Sequence, residues 1–206
     1  MKSLFLKYAP KLAFIACLSA LIAPVSAHAQ LVNFEQIKSN WGYVLGGAAT
    51  TIAVHELGHF VVAEHEGADA YFDNITVKYR NTDGTDRQGL RLSSAGYQTQ
   101  WLVSELGFYQ LNQQAISDNK RAWNAGLIIG HLGITAAYLS FLKNHEDGDA
   151  GGVARATDNS TDKIVALLAI PALLDSWRLF GKHAPKWASW TSQGFKAVGI
   201  SAIWQF

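Results

Sequence analysis

The sequence is short of cysteine, methionine and net charge. Its 206 residues include one cysteine, Cys17, and one methionine, Met1, and the formal charge is +1. Without a basic excess there is no electrostatic case for gripping nucleic-acid phosphates. Cys17 falls inside an N-terminal apolar run that reads as a targeting segment. Lys2, Lys7 and Lys11 precede "LAFIACLSALIAPV", and "AHA" supplies small residues for cleavage before Gln30. Residues 1–29 are therefore expected to be a signal peptide and 30–206 one domain. Its removal leaves no cysteine, so no disulfide and no thiolate ligand. Any metal must be held by His, Asp or Glu.

Apolar helical runs are what the chain has in quantity. "WGYVLGGAATTIAVHELGHFVVA" (41–63) is long enough to cross a hydrocarbon core of roughly 30 Å, and its Gly and Ala suit close packing on another helix. "AWNAGLIIGHLGITAAYLSFL" (122–142) and "KIVALLAIPALLDSWRLF" (163–180, with Pro171 inside) are similar candidates, while 95–114 is helical in pattern but only half apolar. Between the first two, Phe72, Ile75, Val77 and Tyr79 surround the turn signal "NTDG" and point to a β-hairpin. The loop "KNHEDGDAGGVARATDNSTD" reads as an acidic linker. The basic residues of the other loops fall on one side if 95–114 does not cross. The expected fold is mainly α, a polytopic membrane bundle of about three to four apolar helices with a hairpin after the first. It places the protein as integral to the cell membrane, the bacterial inner membrane first, with the lipid bilayer as a partner. At the C-terminus Val198, Ile200, Ala202 and Trp204 alternate as in the last strand of an outer-membrane barrel, but too few other such strands exist to close one.

"HELGH" sets His55, Glu56 and His59 in the middle of the first apolar helix. Residues i and i+4 share a helical face, so both imidazoles can reach one Zn²⁺. Glu56 sits beside them, where its carboxylate can take a proton from a water that the zinc has acidified. Three polar groups inside apolar surroundings cost several kcal/mol unless partnered, and metal ligation supplies the partners.

A third ligand must come from elsewhere. "HELGHFVVAEH" has the metzincin spacing HExxHxxGxxH, but Val62 stands at the helix-breaking glycine and Met1 cannot form a Met-turn. In a continued helix His65 lies about 15 Å along the axis from His55. Asp175 in "AIPALLDSWRLF" is the leading candidate, an acid on an apolar helix four residues after a proline. Pairing with Arg178 at i+3 is the alternative for it. Asp149 and Asp147 in "HEDGDAGG" are the fallback ligands, and His131 could approach from the second helix.

Taken together, "HELGHFVVA", the hairpin and "IPALLDSWRL" resemble the site-2 protease family of intramembrane zinc metalloproteases, over roughly residues 45–180. "SSAGYQTQW" is more loosely similar to the family's small-residue turn, and Ser176 stands where the family has glycine after its aspartate. The resemblance implies His55, His59 and Asp175 as zinc ligands, Glu56 as general base, and a peptide or membrane-protein substrate unwound into the site. A competing expectation is a non-catalytic envelope membrane protein that keeps the metal-site fold for binding or assembly.

Overall fold

A computed structural model describes residues 31–206 except Ile75, Gln114, Glu146 and Asp147, together with the side chain of Thr76. The signal-peptide reading of 1–29 and the fallback ligand Asp147 lie outside the described residues.

Helices dominate, as expected. Their order is α1 (Phe34–Ser39), α2 (Trp41–Glu66), the strands β1 (Asp69–Asp73) and β2 (Thr76–Arg80), then α3 (Asp86–Leu111), α4 (Asp118–Ser140), α5 (Asp149–Ala156), α6 (Thr161–Phe180) and α7 (Lys186–Gln205). The helix α2 runs unbroken through Val62, which lacks the glycine that would end it there, and stops at Gly67. Gly67 adopts φ 72°, a left-handed conformation cheap only for glycine. Ala68 N–H then bonds back to Ala63 at 2.9 Å.

The close approach expected of the Gly/Ala-rich segment is real. A Cβ on Gly47 would lie 2.9 Å from Gly126 Cα, so α2 and α4 touch backbone to backbone. Thr51 Oγ1 donates to Leu127 O at 2.8 Å across the same seam. On the other side of α2 stands α3, with a Cβ on Gly58 meeting Ala95 O at 2.9 Å. These contacts fix which face of α2 is inward: Thr51, His55, Gly58, His59 and Val62 are buried, while Leu45, Ile52, Leu57 and Val61 are exposed. Further from this seam, Tyr97, Trp101, Tyr138, Val165, Leu168 and Ile200 join α3, α4, α6 and α7 in one apolar cluster.

Several expectations are corrected. No helix among the described residues is long and apolar enough to cross a membrane, which overturns the polytopic membrane bundle and the integral inner-membrane location built on it. The reason lies in what interrupts the runs. Thr50, Thr51, His55, Glu56 and His59 dilute α2; Asp118, Lys120 and Arg121 open α4; Asp175 and Arg178 sit within α6. The hairpin exists, but β1 pairs antiparallel with β2 and the chain reverses between Asp73 and Thr76, where Asn74 has φ 58°. "NTDG" instead leads into α3, whose first turn is capped by the Thr85 hydroxyl accepting from Gln88 N–H at 3.2 Å. The linker-like loop contains α5, and the alternating tail is the helix α7.

Candidate metal centre

The spacing of His55 and His59 works as the sequence suggests. Both rings leave the buried face of α2 one turn apart, with centroids 5.2 Å apart, and their exposures are 5% and 2%. The third member is Asp149. Its Oδ2 lies 3.0 Å from His55 Nε2 and 3.2 Å from His59 Nε2, and its side chain is 15% exposed. Among the described residues, His55, His59 and Asp149 are the group whose ligand atoms could share one metal ion, all lying within 4.8 Å of one another.

Asp149 reaches this position because α5 presses onto α3. A Cβ on Gly152 would fall 2.6 Å from Ser93 Cβ, so only a glycine lets the two backbones come so near. Asp149 is in the first turn of α5, where free N–H groups favour a carboxylate. Burial alone would raise its pKa, but His59 and the hydrogen bonds to both imidazoles hold it well below the usual carboxylate range.

The far nitrogens of the rings are also engaged. His59 Nδ1 is 3.0 Å from Leu92 O and 2.7 Å from Tyr79 Oη, and Tyr79 Oη donates to Leu92 O at 3.1 Å. A carbonyl can only accept, so His59 carries a hydrogen on Nδ1, and the neutral ring presents a lone pair at Nε2. His55 Nδ1 faces Gln100 Oε1 at 3.0 Å, with the same consequence. With both rings neutral, two lone pairs and a carboxylate oxygen converge, an arrangement that repels unless a cation or a proton lies among them. A divalent cation relieves the repulsion without charging either buried ring. The residues therefore fit a divalent metal ion that takes histidine nitrogen and carboxylate oxygen. The same field acts on a proton: burial depresses the His59 pKa, but Asp149 and the backbone of Leu92 raise it more, so the net shift is upward.

Glu56 is half-buried beside the cluster, and among the described residues no hydrogen bond or ion pair engages its carboxylate. Its charge reaches His59, Tyr79 and Tyr138. The tyrosine pKa values are pushed up, first by burial and then by nearby carboxylates, so Tyr79 and Tyr138 keep their O–H. Tyr97 packs edge-on to His55, with centroids 5.9 Å apart. At Gly96 a Cβ would fall 2.6 Å from His55 Cδ2, so the ring lies directly on the α3 backbone.

Asp175, expected as the third ligand, stands elsewhere. Its Oδ1 accepts from Arg178 Nη1 at 2.7 Å and from Ser192 Oγ at 2.6 Å, and its Oδ2 bonds to Lys196 Nζ. Lys196 also reaches Glu105 Oε1 at 2.6 Å and Ser104 Oγ at 2.9 Å, which uses all three of its donors. Arg178 forks onto Glu105 at 2.7 and 3.0 Å. Two acids and two bases neutralise one another there, and Asp175 has no oxygen to offer His55 and His59. The i+3 pairing with Arg178 is its actual use. His131 belongs to this second cluster, with Nε2 3.5 Å from Asp175 Oδ2, and is wholly buried. His65 is half-exposed at the end of α2 against the Trp204 ring.

Sequence reasoning missed Tyr79, Leu92, Gly96 and Gln100. Only Gln100 carried a signal, as an amide in a half-apolar helix. No family model, curated protein or solved structure matches the chain.

Proposed function

We propose that this chain is a zinc-dependent hydrolase of peptide bonds, with His55, His59 and Asp149 as ligands and Glu56 as general base. The observation that carries the reading is the convergence of two Nε2 atoms on one Asp149 oxygen, at 3.0 and 3.2 Å, beside an unengaged Glu56. Three protein ligands leave one position of a tetrahedral zinc open, as in catalytic rather than structural sites. Bound there, zinc supplies a Lewis acid that acidifies water and polarises a carbonyl.

The chain's own groups do the rest. Leu92 O and Gln100 Oε1 hold the Nδ1 hydrogens, which keeps both Nε2 lone pairs aimed inward. Glu56 takes the proton of the attacking water and returns it to the departing amine nitrogen, a transfer worth roughly 10²–10⁴-fold in rate. Peptide is the substrate class that the "HELGH" pattern and the metalloprotease resemblance support.

The test is Glu56→Gln, assayed on a fluorogenic peptide library after loading with one equivalent of zinc. Hydrolysis should fall by roughly 10²-fold or more with zinc content unchanged; an unchanged rate would sink the reading. The near-complete burial of both imidazoles favours one second reading, a non-catalytic protein that keeps the metal for structure or binding. That reading gains if the zinc-loaded wild type cleaves nothing while chelation lowers its Tm.

A further inference from the structure

The ligand-bearing helix α2 does not orient its own histidines; groups from α3 and the hairpin do. We infer that Gln100 and Tyr79 are positioning residues for the metal centre, each fixing one histidine so that its Nε2 lone pair meets the cation. The inference rests on the metal reading above and deepens it.

The geometry differs at the two rings. Around His59 the arrangement is determined from both sides. Leu92 O can only accept, and Tyr79 Oη can accept from Nδ1–H while donating its own hydrogen to Leu92 O. Tyr79 comes from β2 and Leu92 from α3, so this hydroxyl ties the hairpin to the centre.

Around His55 the Gln100 amide is the partner that the described side chains supply at Nδ1, and it is ambidextrous. With Oε1 toward Nδ1, at 3.0 Å, the ring keeps Nδ1–H and frees Nε2 for a metal. Turned over, the amide would donate to Nδ1 and leave the hydrogen on Nε2, aimed at Asp149. Gln100 is fully buried, and its Nε2 atom has no hydrogen-bond partner among the described residues. The amide thus leaves a buried donor unpaired in the orientation that suits a metal. What this orientation gains is the His55 Nδ1–H···Oε1 hydrogen bond, which holds the ring with Nε2 toward Asp149. Gly96, one turn earlier on α3, lets the ring lie close enough to be reached.

The experiment uses the full chain and Zn²⁺ as the probe. Zinc affinity is measured by chelator competition, and imidazole tautomers by long-range ¹H–¹⁵N spectra, for wild type, Gln100→Met, Gln100→Glu and Tyr79→Phe. Gln100→Met keeps the length and removes the acceptor; it should weaken zinc by roughly 10–100-fold and move the His55 hydrogen off Nδ1. Gln100→Glu restores an acceptor and should recover affinity and tautomer. Tyr79→Phe, at a half-buried position, should weaken zinc by a smaller factor and alter the His59 resonances alone. It tests the inference even if Gln100→Met does not fold. Wild-type affinity and unchanged tautomers in Gln100→Met, or in Tyr79→Phe if only that variant folds, would overturn the inference while leaving the metal reading standing. A wild type that binds no zinc would overturn both.

Discussion

His59 Nε2 lies 3.2 Å from Asp149 Oδ2, across a sequence separation of 90 residues. This contact joins the motif helix α2 to the short helix α5. It replaces the expected link between the motif and Asp175. Substituting the two acids therefore separates two roles. Asp149→Ala should weaken zinc binding by roughly 10²-fold or more, since it removes one of the three proposed ligands and leaves the fold largely intact. Asp175→Asn should leave zinc affinity within a few-fold of wild type and lower stability instead. Chelator competition together with urea unfolding of both variants checks this; the reverse assignment would contradict it.

The nearness of α3 to the site gives a second expectation. Gly96→Ala would put a methyl group 2.6 Å from His55 Cδ2, so the ring must move or the helices must part. Zinc affinity should drop while far-UV circular dichroism stays helical. Gly133→Ala is the matched control, because nothing lies within 4 Å of its Cβ position. It should keep affinity and gain up to about 1 kcal/mol in stability from helix propensity.

The second buried cluster is expected to matter for stability and not for metal. Lys196 is fully buried with both Glu105 and Asp175 on its ammonium. Lys196→Met leaves two buried carboxylates with Arg178 as the one cation between them and should cost about 3–5 kcal/mol. Urea midpoints measure it. A loss below about 1 kcal/mol would mean the cluster is not a coupled unit.

That cluster also sets an acid limit. Burial, reinforced by the Lys196 charge, lowers the His131 pKa to about 4. A histidine that is neutral in the fold but protonates at about 6.5 when unfolded makes the unfolded state bind more protons between those values. Its contribution is complete above 6.5 and lost as pH falls toward 4, on the order of 3 kcal/mol. Burial would raise the Glu105 and Asp175 pKa values, but Lys196 and Arg178 hold both below the ordinary carboxylate range. Their contribution has the same sign and is lost at still lower pH. The groups facing His131 are thus Lys196, Asp175, Glu105 and Arg178. His131→Leu should remove an acid destabilisation between pH 6.5 and 4, which the raised pKa of His59 opposes in the wild type. Urea midpoints whose pH dependence is the same in wild type and His131→Leu would contradict this.

The pairing of the two imidazoles was legible in the sequence because helical periodicity is local, and i, i+4 spacing fixes a shared face whatever the tertiary fold. The same locality placed α2, α4 and α6 within a few residues of their observed ends. Asp149 ranked below Asp175 because the apolar stripe of α5 is short and made mostly of alanine, so the segment reads as an acidic, glycine-rich loop. It is an eight-residue helix held by a glycine contact on α3, and such contacts have no sequence period. Arg178 was legible as a partner of Asp175, but Lys196 and Ser192, which complete its hydrogen bonds, lie on a helix packed against it only in three dimensions. The membrane reading failed for a related reason. The polar residues that marked the runs as functional are also those that keep them from being apolar enough to span.

The central claim is that one metal ion is held by His55, His59 and Asp149. Crystals grown with zinc and measured on both sides of the zinc absorption edge test it most directly. The expected result is one anomalous peak about 2.0–2.2 Å from His55 Nε2, His59 Nε2 and an Asp149 carboxylate oxygen. An empty map at that point, or zinc seated at Asp175 instead, would contradict the account.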